Sequence, residues 1–252
     1  ERAALIAAAR KRDWTKLPGI LAYLASPGRE EIQATALVRL LSDCPAEEKW
    51  PALRKLMADA SPLVRASAAE ALGQRLEQPN RAALIKASGD DYRLVRVRAA
   101  AALASIPADS LPEAQRRQVS GAVNDLIASM RSRPDDMASH YNLGNFYLAR
   151  SQMREAAAEF ETAIRLQPDG LPPYVNVALA YNALGRNDQA EASLRRALRL
   201  DPTNAAVNLN LGMLLAEVGK MPEAEQAFRN AFKAAPRSAQ AAYNLGVMLA
   251  KH

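Results

Sequence analysis

From about Pro134 onward the chain repeats itself every 34 residues, without one insertion. Asn142, Asn176, Asn210 and Asn244 stand at one step of the register. Two residues further on come Gly144, Gly212 and Gly246, with Ala178 standing in for glycine in the second copy. Ala156, Ala190 and Ala224 recur, then Phe160, Leu194 and Phe228, then Ala163, Ala197 and Ala231. Pro134, Pro168, Pro202 and Pro236 punctuate the copies. A period of this length describes one small supersecondary unit that cannot bury its own apolar face, so successive units must stack into an array.

Composition decides what the unit is made of. The 252 residues are rich in Ala, Leu and Arg and only 5% aromatic, with no alternating Val/Ile/Thr runs. An all-α chain is expected, an alpha-alpha superhelix. The period and its residues resemble the tetratricopeptide (TPR) repeat, a helix–turn–helix unit. The resemblance places units at 137–170, 171–204 and 205–238, with a partial one at 239–252. It puts the Gly and Ala steps where helices press together, because only small side chains fit there. It makes Tyr147, Tyr181, Phe160, Leu194 and Phe228 core.

The same resemblance points repeat positions 2, 5, 6, 9 and 12 of each first helix into a groove. Position 6 is Asn142, Asn176, Asn210 and Asn244. An asparagine amide carries a donor and an acceptor side by side and can pair with a peptide unit's C=O and N–H. One per repeat, about 10 Å apart, such a row is similar to the asparagine ladder in the TPR domain of O-linked N-acetylglucosamine transferases. The competing reading is that these asparagines serve only packing or solubility. Position 5 is Tyr141, Val175, Leu209 and Tyr243, and position 9 is Asn145, Leu179, Met213 and Val247. The peptide-binding set is therefore Asn142, Asn176, Asn210, Asn244, Tyr141, Asn145, Val175, Leu209 and Tyr243. Its floor is neutral and partly apolar, which suits a peptide or helix with apolar side chains. Chaperone-binding TPR domains clamp a terminal carboxylate with Lys and Arg at positions 2, 5 and 6. Here Tyr141, Ala206 and Asn210 stand at such positions, which argues against an acidic C-terminal ligand.

The first half has a period of its own. Residues 59–73 and 90–104 align at a step of 31, with Val64-Arg65 over Val95-Arg96, and a looser copy at 26–41 places Ile32 at the Val position. The pattern Asp-x-x-x-x-Val-Arg-x-x-Ala-Ala-x-Ala-Leu resembles the short bacterial form of HEAT repeats. In the Val64 copy, Val64, Ala68, Ala71 and Leu72 share one helix face, and Ser61-Pro62 opens the helix as N-cap and first residue. Partner helices are expected near 49–59 and 80–87, and opening helices at 1–12 and 15–25. A helix at about 112–133 carries Val119, Val123, Leu126, Ile127 and Met130 on one stripe and bridges the two arrays. The division expected is 1–107 HEAT-like, 108–133 bridging helix and 134–252 TPR, with no Gly/Ser-rich linker between them.

Charge raises a second class of function. Residues 1–133 carry 21 Lys/Arg against 15 Asp/Glu, whereas 134–252 carry 12 of each. Arg65, Arg93, Arg96 and Arg98 offer a basic face for phosphates and hence nucleic acid. The preferred reading pairs the Val-Arg arginines with Asp59, Asp90 or Asp91, by analogy with HEAT repeats.

Chemistry is not in view. Cys44 is the one cysteine, so neither an intrachain disulfide nor a thiolate metal site can form. His140 and His252 lack His or Cys partners at ligand spacing, and no phosphate loop or nucleophile elbow is present. Glu155, Glu159 and Glu161 read as a solvated helix face. No enzyme, cofactor or metal site is expected, nor a membrane-inserted segment. A cytoplasmic and a periplasmic location both stay open. The chain starts without Met and stops one helix into a fourth unit, which suggests a piece of a longer protein. That end could self-associate. HEAT-like units, a linking helix and TPR units are also similar to the C-terminal tails of some bacterial multihaem c-type cytochromes. That likeness implies an exported parent for which this part docks a partner.

Overall fold

The computed structural model describes residues 2–250, and among these the fold is all-α. It divides into two compact units between Ser129 and Met130.

In the first unit the helices are α1 (Arg2–Arg10), α2 (Leu17–Ala25), α3 (Glu31–Leu40), α4 (Lys49–Leu56), α5 (Pro62–Leu72), α6 (Gln78–Ala87) and α7 (Arg93–Ala102). The last of them, α8 (Glu113–Arg131), ends just past the division, at Met130 and Arg131. Short 3-10 turns at Trp14–Lys16, Leu41–Asp43 and Ala108–Ser110 join them. The odd-numbered helices α3, α5 and α7 pack side by side through Ala and small apolar residues. Ala68, Ala69, Ala99 and Ala100 are all buried, so the backbones approach closely. Helix α5 starts as expected: Ser61 Oγ accepts the N–H of Leu63 at 3.2 Å and of Val64 at 3.3 Å, with Pro62 in the first turn.

One register needs correcting. Ile32 does not occupy the buried Val position; it is 78% exposed, while Val64 and Val95 are fully buried. The step of 31 holds in the earliest copy too, but it sets Leu37, Val38 and Leu41 under Ala68, Ala69 and Leu72, all of them buried. Ile32 then falls in line with Leu63 and Leu94, a row of exposed residues at the starts of α3, α5 and α7.

The second unit contains α9 (Met137–Ala149), α10 (Met153–Leu166), α11 (Leu171–Ala183), α12 (Asn187–Leu200), α13 (Ala205–Glu217), α14 (Met221–Ala234) and α15 (Ala239–Ala250). Each helix packs on the next in sequence. Caps recur with the period. Asp136 accepts from Ser139 N–H (3.0 Å), Asn204 from Val207 N–H (3.1 Å) and Ser238 from Ala241 N–H (3.3 Å). Gly170 holds the equivalent step in the second copy without a side chain to cap with. The turns within the repeats need a left-handed residue, supplied by Gly185 (φ 72°) and Gly219 (φ 81°) but by Ser151 (φ 57°) in the first copy.

The Gly and Phe steps form one contact. A Cβ at Gly144 would lie 2.6 Å from the Phe160 ring, and one at Gly212 would lie 2.6 Å from the Phe228 ring. The second copy has Ala178 and Leu194 at these steps, both buried, so the smaller partner makes room for the methyl.

Candidate functional site

The first helices of the repeats, α9, α11, α13 and α15, carry positions 5, 6 and 9 on the surface that the sequence nominates. Side-chain hydrogen bonds join these positions between the first two repeats. Asn176 Nδ2 donates to the Tyr141 hydroxyl oxygen at 3.2 Å and to Asn145 Oδ1 at 2.7 Å, joining position 6 of α11 to positions 5 and 9 of α9. The Tyr141 ring in turn packs against Phe160, centroids 5.9 Å apart, which fixes the strip on the core.

The four asparagines are therefore not equivalent. Asn176 spends both amide hydrogens inside the protein and retains its Oδ1 as acceptor. Asn244 turns its amide back onto the Gln240 carbonyl of its own helix at 2.9 Å. Asn142 is exposed and Asn210 half-buried, and neither makes a side-chain hydrogen bond among the described residues. Position 5 is equally uneven: Tyr243 is well exposed, Tyr141 and Val175 are half-buried, and Leu209 is buried and offers the least surface of the nine.

Position 9 is the most regular. Leu179 is 43% exposed, Met213 36% and Val247 39%, one aliphatic side chain per repeat, with Asn145 half-buried in the first. Soluble proteins scatter such residues singly, and a repeated row points to an interaction surface. Positions 2, 5, 6 and 9 of all four copies contain no charged residue. Glu217, at the end of α13, accepts from Asn182 Nδ2 at 3.1 Å.

Two residue groups read as solvated or unpartnered lie elsewhere. His140 bonds through Nδ1 to Glu159 Oε2 at 2.7 Å and through Nε2 to the Pro134 carbonyl at 3.0 Å. Glu159 is thus largely buried between α9 and α10 rather than on a solvated face. Glu161 accepts from the Tyr181 hydroxyl at 2.5 Å. Burial first, then that hydrogen bond and the Glu161 charge, push the Tyr181 phenol from 10.0 up to about 12.

In the first unit the arginines are engaged. Arg65 donates twice to Asp90 (2.8 and 2.9 Å) and once to each of the carbonyls of Asp59 and Ala60. Burial raises the Asp90 carboxyl, but the Arg65 and Tyr92 hydrogen bonds and the Arg65 and Arg96 charges outweigh it and hold it below its usual range. Arg96 repeats the geometry one unit on, with its head on Asp125 (2.7 Å) and the Asp90 and Asp91 carbonyls. Arg29 pairs with Asp59 in the unit before. Asp125, on α8, was outside the expected partners, since it belongs to a helix with no copy of the motif. Arg93 also reaches Asp125, and Arg98 reaches Glu70 at 3.7 Å. Cys44 is buried, and its carbonyl accepts from the buried Lys49 ammonium at 2.5 Å. Burial lowers the Lys49 pKa. Among the described residues no cluster of metal-ligating side chains forms, and no helix is long and apolar enough to cross a membrane.

Comparison with known proteins finds two kinds of repeat. A family model described as HEAT repeats matches residues 17–104. Two described as tetratricopeptide repeat match residues 113–170 and 181–247. The first of these begins inside α8, earlier than the 34-residue period becomes legible. A search of the curated proteins finds no significant match. Among solved structures, the TPR domain of Arabidopsis OM64 is 25% identical over 44% of this chain and 93% of its own, with a TM-score of 0.43. The second TPR domain of human RPAP3, in complex with an HSP70 peptide, is 20% identical over 45% and 98%, at 0.42. The Yersinia enterocolitica secretion chaperone SycD, in complex with a YopD peptide, is 16% identical over 46% and 93%, at 0.43. None of these bears on the likeness to multihaem cytochrome tails.

Proposed function

Given a chain that carries HEAT repeats followed by tetratricopeptide repeats, we propose that it is a non-catalytic protein-interaction scaffold. Its TPR groove receives an uncharged peptide or partner segment with apolar side chains. The observation that carries this reading is the row Leu179, Met213 and Val247, exposed once per repeat on a strip without charge. Asn142, Asn210 and the Oδ1 of Asn176 border the row and supply hydrogen-bonding groups for a ligand main chain. Human RPAP3 and SycD hold peptides in their solved complexes, which supports a peptide as the kind of ligand for this groove as well. A terminal carboxylate is a poor match, because the strip has no Lys or Arg to meet it.

A random-peptide display selection, run on the wild type beside an Asn210→Ala/Met213→Glu variant, tests the proposal. Enrichment of apolar peptides on the wild type and its loss on the variant is the expected result. Enrichment that survives the double change would move the site elsewhere.

A further inference from the structure

The first unit is closely packed along its odd-numbered helices and open between its even-numbered ones, where clefts form. One cleft of about 600 Å³ lies between α2 and α4. Leu21, Leu24, Leu56 and Val64 give it an apolar floor, the last three of them buried. Ala25, Pro27, Ala58 and Ala60 line it too and are exposed, so a main chain can pass over small side chains to reach the floor. An apolar concavity of this size with a few polar groups is the usual form of a ligand site.

Four charged side chains line this cleft, and three of them are engaged. Arg29 pairs with Asp59 and donates to the Ser26 carbonyl at 3.2 Å. Glu31 accepts from the Ser61 hydroxyl. Lys55 is exposed and has no side-chain partner among the described residues. We propose that this cleft is a second peptide site, separate from the repeat groove, for a segment with a bulky apolar side chain beside an acidic one. The apolar side chain enters over Leu24, Leu56 and Val64, and the carboxylate meets the Lys55 ammonium. Nucleic acid is a poor occupant, because a polyanion needs several free cations and the cleft offers one. A basic segment would meet Lys55 with like charge.

The next repeat supplies a contrast. At a step of 31, Lys86 and Asp90 stand where Lys55 and Asp59 do, and they line a further cleft of about 880 Å³. Lys86 also lacks a side-chain partner among the described residues. In that cleft, however, Asp91 replaces Ala60 and Ala87 replaces Leu56. A carboxylate joins the lysine and the floor loses bulk. The cleft between α2 and α4 therefore selects for an acidic partner, and its counterpart does not.

Fluorescence anisotropy of the whole chain with two short labelled peptides tests the site. Both carry one phenylalanine in a Gly/Ser background; the first flanks it with glutamates and the second with glutamines. The glutamate peptide is expected to bind about fivefold more tightly, the upper end for an exposed ion pair. Lys55→Met should remove that preference and Lys55→Arg should keep it, while Lys86→Met and Met213→Glu should leave it unchanged. Ala25→Glu, at the mouth of the cleft, should also remove it, and repeats the test if Lys55→Met fails to fold. No preference for glutamate in the wild type, or one that survives Lys55→Met or Ala25→Glu, would overturn the proposal. So would a preference lost with Met213→Glu, which would move the acidic ligand to the repeat groove.

Discussion

At the scale of single residues, the repeats carry paired choices that only packing explains. Glycine at 144 and 212 is needed because a methyl there would meet a phenylalanine ring at 2.6 Å. Gly144→Ala should cost about 2 kcal/mol by overpacking. Adding Phe160→Leu, which copies the Ala178/Leu194 pair of the second unit, should recover part of that loss. Urea midpoints of the two single variants and the double variant measure the coupling, and strict additivity would contradict the packing account. Ser151 holds a left-handed backbone that glycine fills in the next two units, so Ser151→Gly should stabilise by about 1 kcal/mol. The glycine–phenylalanine steps were legible as recurrences in the sequence. Their contact was not, because periodicity reports that two positions recur but not that they touch. The exposure of Ile32 was hidden for a related reason. The earliest HEAT-like copy lacks the Val-Arg pair, and without that anchor the register slips by one residue, which rotates an apolar residue from core to solvent.

At the scale of helices and the turns between them, arginine–aspartate contacts join consecutive units. Arg65 ties the turn before α5 to the turn before α7, and Arg96 ties that turn to α8. Removing one partner strands the other in a largely buried place. Arg65→Met should therefore cost about 3 kcal/mol, with an Asp90→Asn change in the same background restoring part of it. In the second unit, Glu191 bridges α12 and the turn before α14 by bonding Lys220 and Arg195, each at 2.7 Å. The Tyr181–Glu161 bond between α11 and α10 has a pH signature. The folded state holds the phenol's proton up to about 12, whereas the ordinary value is 10.0. Its contribution is complete below pH 10 and disappears as the pH climbs to about 12, because the unfolded chain releases that proton first. Tyr181→Phe should flatten the fall in stability across that window, and an unchanged slope would contradict the assignment. The sequence showed that these helices exist and where most of them start. It could not show that Glu159 and Glu161 face His140 and Tyr181, because a carboxylate on a helix reads as solvated until a neighbouring helix is placed beside it.

At the scale of the molecule, charge and shape lead to different units. The basic surplus lies in the first half, but Arg29, Arg65, Arg93, Arg96 and Arg98 all have acidic partners there. We expect no salt-dependent DNA affinity at physiological ionic strength. Fluorescence titration with single- and double-stranded oligonucleotides checks this; binding that an Arg93→Ala/Arg98→Ala variant abolishes would revive the phosphate reading. For the candidate groove, the sequence supplied the strip and its neutrality, since both follow from the 34-residue step. It supplied the asparagines as a uniform row, and here the structure differs: Asn176 is tied to Tyr141 and Asn145, Asn244 to its own helix, and Leu209 is buried. Equal spacing along the chain does not guarantee equal surroundings, because side chains of different size and polarity flank each copy.

Two rows of exposed aliphatic residues compete for a partner: Leu179, Met213 and Val247 in the second unit, and Ile32, Leu63 and Leu94 in the first. Methyl NMR of the whole chain, labelled at Ile, Leu, Val and Met and titrated with a peptide from the display selection, decides between them. The account predicts that the Leu179, Met213 and Val247 methyls shift and saturate together while those of Ile32, Leu63 and Leu94 stay in place. Shifts confined to the Ile32 row, with the groove methyls unmoved, would contradict it.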